Sequence, residues 1–237
     1  AKTVKFLTGL GIKYIRGGAM KYRSNPNDYQ GNRQVYDWIL KLKKDYDFEF
    51  VNEIYSVDDY DPHCSIDIIQ VGSRNMHNTR LLSDITFQTK NKVILKRHYA
   101  AGLNEFLNHA AYLHDSEVIL CLRGILSLFP QEQRFMPDVT DIPRLRKIMD
   151  ERQLYDEHID PLKASDRQYK YKICYDVSHS ACHRDYVKGL IQCAMVYKPD
   201  YIMLEVHPCP DKALSDAQQQ IDFETFEKWY NEGIFNA

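Results

Sequence analysis

The chain has 237 residues, 44% of them hydrophobic, enough to bury one substantial core without a second domain. With 31 Lys plus Arg against 33 Asp plus Glu, its bulk charge argues against nucleic acid or an anionic membrane as the main partner. Six cysteines without a short C-x-x-C pair point to a reduced, cytoplasmic compartment. No apolar run reaches the roughly 18 residues of a membrane span, and the start lacks a signal-peptide core.

From the N-terminus, Lys2 to Leu10 has helical spacing. Short β-branched runs then alternate with longer amphipathic stretches. The predicted strands are Lys13 to Arg16, Phe50 to Tyr55, Ile66 to Val71, Val93 to Arg97, Val118 to Arg123, Ile173 to Ser178 and Tyr201 to His207. The predicted helices between and after them are Arg33 to Tyr46, Thr79 to Phe87, Gly102 to His114, Arg184 to Tyr197 and Phe223 to Glu232. The polar stretch 144–172 reads as an inserted helix with an extended loop. Strand then helix, repeated, means α/β. The expectation is a single (β/α)8 TIM barrel over 1–237, and seven visible strands imply that its first strand is missing from this sequence.

The polar residues select the barrel over an open sheet, because barrels of this kind carry their chemistry at the C-terminal strand ends. Those ends hold Arg16, Glu53, Gln70 with Arg74 beyond it, Lys96 with Arg97, Arg123, Asp176 with His179, and Glu205 with His207. For any one of them, solvation of a rim is an equally good explanation; for seven strands in succession it is a poor one. The segment from Arg16 to Ser24 sets Arg16, Lys21 and Arg23 beside a double glycine and a hydroxyl, a composition suited to phosphate or carboxylate. Arg74, Lys96 and Arg123 add cations from other strands. His179, Glu205 and Asp216 supply one imidazole and two carboxylates, a donor set for a divalent metal, although their spacing matches no short metal motif. Cys121, Cys174 and Cys193 read as small core hydrophobes, while Cys182 and Cys209 lie near the metal candidates.

Several segments then resemble a known family in order and spacing. They are 16–23, Gln30-Gly31, Gln70-Val71-Gly72-Ser73-Arg74, Lys96-Arg97, Arg123-Gly124, Asp176-Val177-Ser178-His179, Glu205-Val206-His207-Pro208 and Leu214-Ser215-Asp216. Over nearly the whole chain the sequence resembles the 3-deoxy-D-arabino-heptulosonate 7-phosphate synthases, the short-barrel type related to the 3-deoxy-octulosonate 8-phosphate synthases. The resemblance implies condensation of phosphoenolpyruvate with erythrose 4-phosphate, the first step of the shikimate pathway to aromatic amino acids. It implies Lys96, His179 and Lys21 as catalytic residues and Arg16, Lys21, Arg23, Ser24, Glu53, Arg74, Lys96 and Arg123 as substrate contacts. His179, Glu205 and Asp216 would be metal ligands for Mn, Fe, Zn or Co. A homodimer or homotetramer, and a regulatory chorismate mutase partner, also follow from the resemblance.

Departures from the family pattern are Tyr22 for Pro, Ser24 for Thr, Leu122 for Glu, Val177 for Pro and His183 for Arg. The family's fourth metal ligand, a Cys in a Gly-Pro-Cys-Ser segment, has no counterpart. These departures keep two alternatives open: a different aldose phosphate such as arabinose 5-phosphate, and a non-catalytic phosphometabolite-binding barrel acting through a partner.

Overall fold

In the computed structural model the described residues are 1–21, 26–60, 65–129, 133–159 and 171–236. Helix α1 (Lys2–Gly9) precedes strand β1 (Tyr14–Arg16), helix α2 (Val35–Leu42) and strands β2 (Glu49–Glu53) and β3 (Ile68–Val71). Next come α3 (Thr79–Gln88), β4 (Lys92–Lys96), α4 (Leu103–Ala110) and β5 (Val118–Leu122). A two-stranded excursion follows, β6 (Ile125–Leu126) and β7 (Phe135–Met136), and then α5 (Asp141–Ile159). The chain continues through β8 (Lys172–Asp176), α6 (Val177–Ala181), α7 (Arg184–Met195), β9 (Tyr201–Met203) and α8 (Phe223–Asn231).

Seven strands form one sheet in the order β1-β2-β3-β4-β5-β8-β9, every neighbouring pair parallel. This is the strand-and-crossover alternation of a (β/α) barrel, and β1 and β9 are its two unpaired edges. The sheet curls until those edges face each other: the rings of Tyr14 and Tyr201 meet edge-on with centroids 5.6 Å apart. A cavity of about 840 Å³ lies between them, reaching Val51, Ile68, Ile94 and Ile119 of the inner sheet face. Among the described residues no eighth strand closes this seam.

Alternation of side chains along each strand divides the core in two. Val51, Ile68, Ile94, Ile119, Cys121 and Cys174 point inward and form the barrel interior. Their neighbours Phe50, Ile69, Leu95, Leu120, Ile173 and Tyr175 point outward, where α3, α4 and α7 bury Leu82, Ile85, Phe106, Leu107 and Ile191 against them. Asn78 caps α3, accepting a hydrogen bond from the Leu81 N–H (3.1 Å), and Asp176 and Asp222 cap α6 and α8 in the same way. Helix α5 fills the crossover to β8 and buries Ile142, Leu145 and Met149, so the polar stretch from 144 starts inside a helix that begins at Asp141. Residues 160–170 of that stretch lie outside the described residues.

Most predicted elements occur with ends moved by a few residues. Two differ for a structural reason. The last strand stops at Met203 because Glu205 and His207 instead exchange backbone hydrogen bonds with Ile221, both at 2.9 Å. The sixth predicted strand ends at Asp176, whose side chain starts α6 at Val177.

Candidate active site

The same alternation decides which strand-end charges reach the mouth. Counting inward positions by twos gives Arg16, Glu53, Gln70, Lys96, Arg123, Asp176 and Glu205. Arg97 falls on the opposite parity. It points into the helix layer, where Nη1 lies 2.6 Å from Asp141 Oδ2 and 3.4 Å from Asp138 Oδ2. It therefore stands apart from the mouth despite adjoining Lys96.

Lys96 and Asp176 form an ion pair at the centre of the mouth, with side chains 5% and 0% exposed. Such a pair needs both partners, because either one alone is an uncompensated buried charge. Asp176 also accepts from the His179 N–H at 3.2 Å, and its Oδ2 lies 2.8 Å from His179 Nδ1 without the alignment of a hydrogen bond. Burial favours the neutral form of Asp176, but the charges around it prevail and hold its carboxyl well below the usual range. Burial holds the His179 imidazole below its ordinary value.

On the β9–β1 side, Arg16 Nη2 meets Glu205 Oε1 at 2.6 Å across the open seam. The second Glu205 oxygen accepts from Gln219 Nε2 at 2.7 Å, and the Ser178 hydroxyl accepts from the Glu205 N–H at 2.9 Å. Burial disfavours both ions, but the Glu205 and Asp176 charges raise Arg16, while His179 and Arg16 lower Glu205. Lys21 Nζ donates to the Ser215 hydroxyl and lies 3.6 Å from Asp216 Oδ2. Asp216 adopts a left-handed backbone, φ 54°.

The β3–β5 side is less fully matched. Arg123 is buried, with Nη1 3.3 Å from the Ser73 hydroxyl and its guanidinium over the Phe135 ring at 4.2 Å. Its Nε is buried without a hydrogen-bond partner among the described residues, and burial lowers its pKa. Arg74 is exposed at the rim, and its charge reaches both Glu53 and Arg123. Glu53 is raised by burial although Lys96, Arg16, Arg74 and Lys21 all pull it down. Gly72 leaves room for this carboxylate: a Cβ there would lie 2.0 Å from Glu53 Oε1 and displace it.

The structure thus brings together Arg16, Lys21, Glu53, Arg74, Lys96, Arg123, His179, Glu205 and Asp216 around one opening. Arg23 and Ser24 lie outside the described residues, as does Cys64. Sequence reasoning set Asp176 at the mouth without naming a partner for it, and gave no role to Ser215, Gln219 or Asn52. Asn52 Oδ1 accepts from the Ala19 N–H at 3.0 Å and so orders the loop after Arg16. A buried-strand Asn is the signal that could have found it.

The donor chemistry around His179 fits a divalent cation: Nδ1 is buried without an aligned partner, and Glu205 stands close enough to shift the ring's titration. Among the described residues, however, no three of His, Cys, Asp and Glu already gather as a metal-holding group. Both carboxylates of the donor set are occupied by neighbouring cations.

The sequence matches the profile of the DAHP synthetase I family over residues 1–234. The chain belongs to the DAHP synthetase I family. A curated relative, the phospho-2-dehydro-3-deoxyheptonate aldolase of Thermotoga maritima, is 35% identical over 236 residues, which are 98% of this chain and 63% of the relative. The crystal structure of a phospho-2-dehydro-3-deoxyheptonate aldolase (DAHP synthase) from that organism superposes with a TM-score of 0.78 at 32% identity, covering 98% of this chain and 62% of that one. A truncated 3-deoxy-D-arabino-heptulosonate 7-phosphate synthase from Thermotoga maritima gives 0.74 at 29% identity, covering 98% and 78%. The chain therefore spans less than two thirds of the length of the full relatives it matches. Its fold class, a (β/α) barrel with seven parallel strands among the described residues, accords with these neighbours.

Proposed function

We propose that this chain carries out the reaction of a DAHP synthase: phosphoenolpyruvate, erythrose 4-phosphate and water give 3-deoxy-D-arabino-heptulosonate 7-phosphate and inorganic phosphate. The observation that carries the reading is the pair of inward, buried cations at adjacent strand ends, Lys96 and Arg123, the latter with an unpaired Nε. Buried donors without acceptors are costly, and a small dianion in the mouth satisfies them. In this reading Arg123, Arg74 and Lys96 hold the phosphate of phosphoenolpyruvate, Arg16, Lys21 and Lys96 its carboxylate side. Lys21, Arg23 and Ser24 receive the aldose phosphate.

C3 of phosphoenolpyruvate forms the new bond to the aldehyde carbon, whose oxygen takes up a proton. Water adds at C2 and phosphate leaves with its bridging oxygen. Lys96, held beside Asp176, is placed to supply positive charge where the carboxylate and phosphate converge. Glu53, which burial keeps easier to protonate than an ordinary carboxylate, balances the surrounding cations. His179, Glu205 and Asp216 would hold a divalent metal, which when bound polarises the aldehyde oxygen.

We place the reaction in the cytoplasm. The support is that Cys121, Cys174, Cys182, Cys193 and Cys209 are free thiols, and that no helix among the described residues is long and apolar enough to cross a membrane. Assembly as a homodimer or homotetramer is proposed on the exposed apolar side chains Leu126, Leu128, Phe129 and Met136 of the β6–β7 excursion. A chorismate mutase partner would act as regulator.

The test is inorganic phosphate release with each substrate alone, with both, and with both after chelation and metal replacement. Release that requires both substrates and the metal is expected. No release under any metal, with phosphoenolpyruvate still bound, would instead favour the binding-only barrel.

A further inference from the structure

Behind the mouth, in the layer between sheet and helices, a buried polar cluster joins two loops that the reaction chemistry does not use. Asp138 is its centre. Asp138 Oδ1 accepts from the Gly124 N–H at 2.8 Å, and Oδ2 lies 3.4 Å from Arg97 Nη1. Arg97 in turn reaches Asp141 Oδ2 at 2.6 Å and donates from Nε to the Ala101 carbonyl at 2.8 Å.

The positions of these two partners in the chain are informative. Arg97 directly follows Lys96, and Gly124 directly follows Arg123. Each mouth-facing cation is thus adjacent to a residue bonded to the same outward-facing carboxylate. Gly124 has φ +86°, and a Cβ there would press on Phe135 Cβ at 3.0 Å and on the Met136 carbonyl at 3.1 Å. The antiparallel β6–β7 pair that follows sets Leu126 opposite Phe135, whose ring lies under the Arg123 guanidinium.

We infer that Asp138 is a positioning residue for Arg123: by holding the Gly124 N–H and Arg97 together, it fixes the guanidinium where a substrate phosphate is bound. This rests on the reading of Arg123 as a phosphate contact. Asp138 touches no mouth group itself, so its effect passes through its two partners, the Gly124 N–H of the Arg123-Gly124 turn and Arg97.

The charge of Asp138 gives the device a pH signature. Burial pushes its carboxyl up to about 6, against the Gly124 hydrogen bond and the Arg97 charge, with Asp141 adding to the rise. From β8, the Tyr175 hydroxyl faces it, itself held neutral by burial and by the Asp138 charge. Arg144 lies beyond Asp141, 3.2 Å from its second oxygen. Protonation removes the negative charge that faces Arg97 and leaves a neutral group resembling Asn.

The experiment is phosphoenolpyruvate binding by calorimetry, with steady-state kinetics, on the wild type, Asp138→Asn, Arg97→Lys and Arg123→Gln between pH 5 and 8. Above pH 7, Asp138→Asn should weaken binding and raise KM by about tenfold, the scale of one charge-assisted hydrogen bond, with kcat within about threefold. Below pH 6 the ratio between wild type and Asp138→Asn should fall toward one. Arg97→Lys, which keeps the charge but loses the fork, should weaken binding by about threefold and serves if the Asn variant fails to fold. Wild-type affinity in Asp138→Asn and Arg97→Lys, or a ratio that does not change with pH, overturns the inference. If Arg123→Gln binds as tightly as the wild type, the phosphate reading of Arg123 fails, whatever the Asp138 variants do.

Discussion

The two walls of the mouth handle charge in opposite ways. On the wall from β8 through β9 to β1, ions meet counterions or amides: Glu205 with Arg16 and Gln219, Asp216 with Lys21, Asp176 with Lys96. On the wall from β3 to β5, Arg123 keeps a buried Nε with no partner among the described residues, and Glu53, at the adjoining end of β2, is raised by burial despite four cations around it. A wall with matched charges holds its shape without a ligand. A wall with surplus buried cationic donors needs an anion. In the proposed reading, the phosphate of phosphoenolpyruvate falls to the β3–β5 wall, and the metal and aldehyde to the other.

Lys96 links the two walls, and removing it should have the largest effect. Lys96→Met leaves the buried Asp176 carboxylate without its ammonium partner, with an expected loss of about 3–5 kcal/mol in folding stability. Activity should drop on the order of a thousandfold. Urea unfolding and phosphate release check the two numbers, and a Lys96→Met protein of wild-type stability would deny that the pair is matched.

A smaller effect is expected inside the β3–β5 wall. Gly72→Ala places a methyl where the Glu53 carboxylate sits, 2.0 Å from Oε1 in the present geometry. Glu53 must move and leave its cations less balanced, lowering kcat/KM by about tenfold, the scale of one lost charged contact. Unchanged kinetics would remove Glu53 from the site.

The smallest effect concerns stability against pH. Asp138 has a folded pKa raised to about 6 from an ordinary 3.8, so its favourable contribution is fully present below 3.8 and lost as pH rises through about 6. Relative to Asp138→Asn, the wild type should gain at most about 3 kcal/mol when acidified from pH 7 to pH 4. Thermal melts of both proteins across that range test the sign; a wild type that loses stability relative to the variant contradicts the burial of a charged Asp138.

Much of this was legible in the sequence because it depends on local rules. β-branched runs located the seven strands, and the residues ending them named most of the mouth. Strand parity, applied without coordinates, would also have separated Lys96 from Arg97. What was not legible depends on long-range pairing. Nothing near Asp176 says that it meets Lys96, 80 residues earlier, and nothing near Asp138 says that it supports the Arg123-Gly124 turn. The stop of β9 at Met203 was likewise set by Ile221, a partner outside the predicted strands.

The most direct test of the division between walls is phosphoenolpyruvate binding, measured by calorimetry without aldose or added metal, on Arg123→Gln and Asp216→Asn. Asn tolerates the left-handed backbone at 216, so that variant changes charge and little else. The account predicts that Arg123→Gln weakens binding by more than about tenfold while Asp216→Asn stays within about twofold of the wild type. Equal losses in the two variants, or a larger loss in Asp216→Asn, would contradict it.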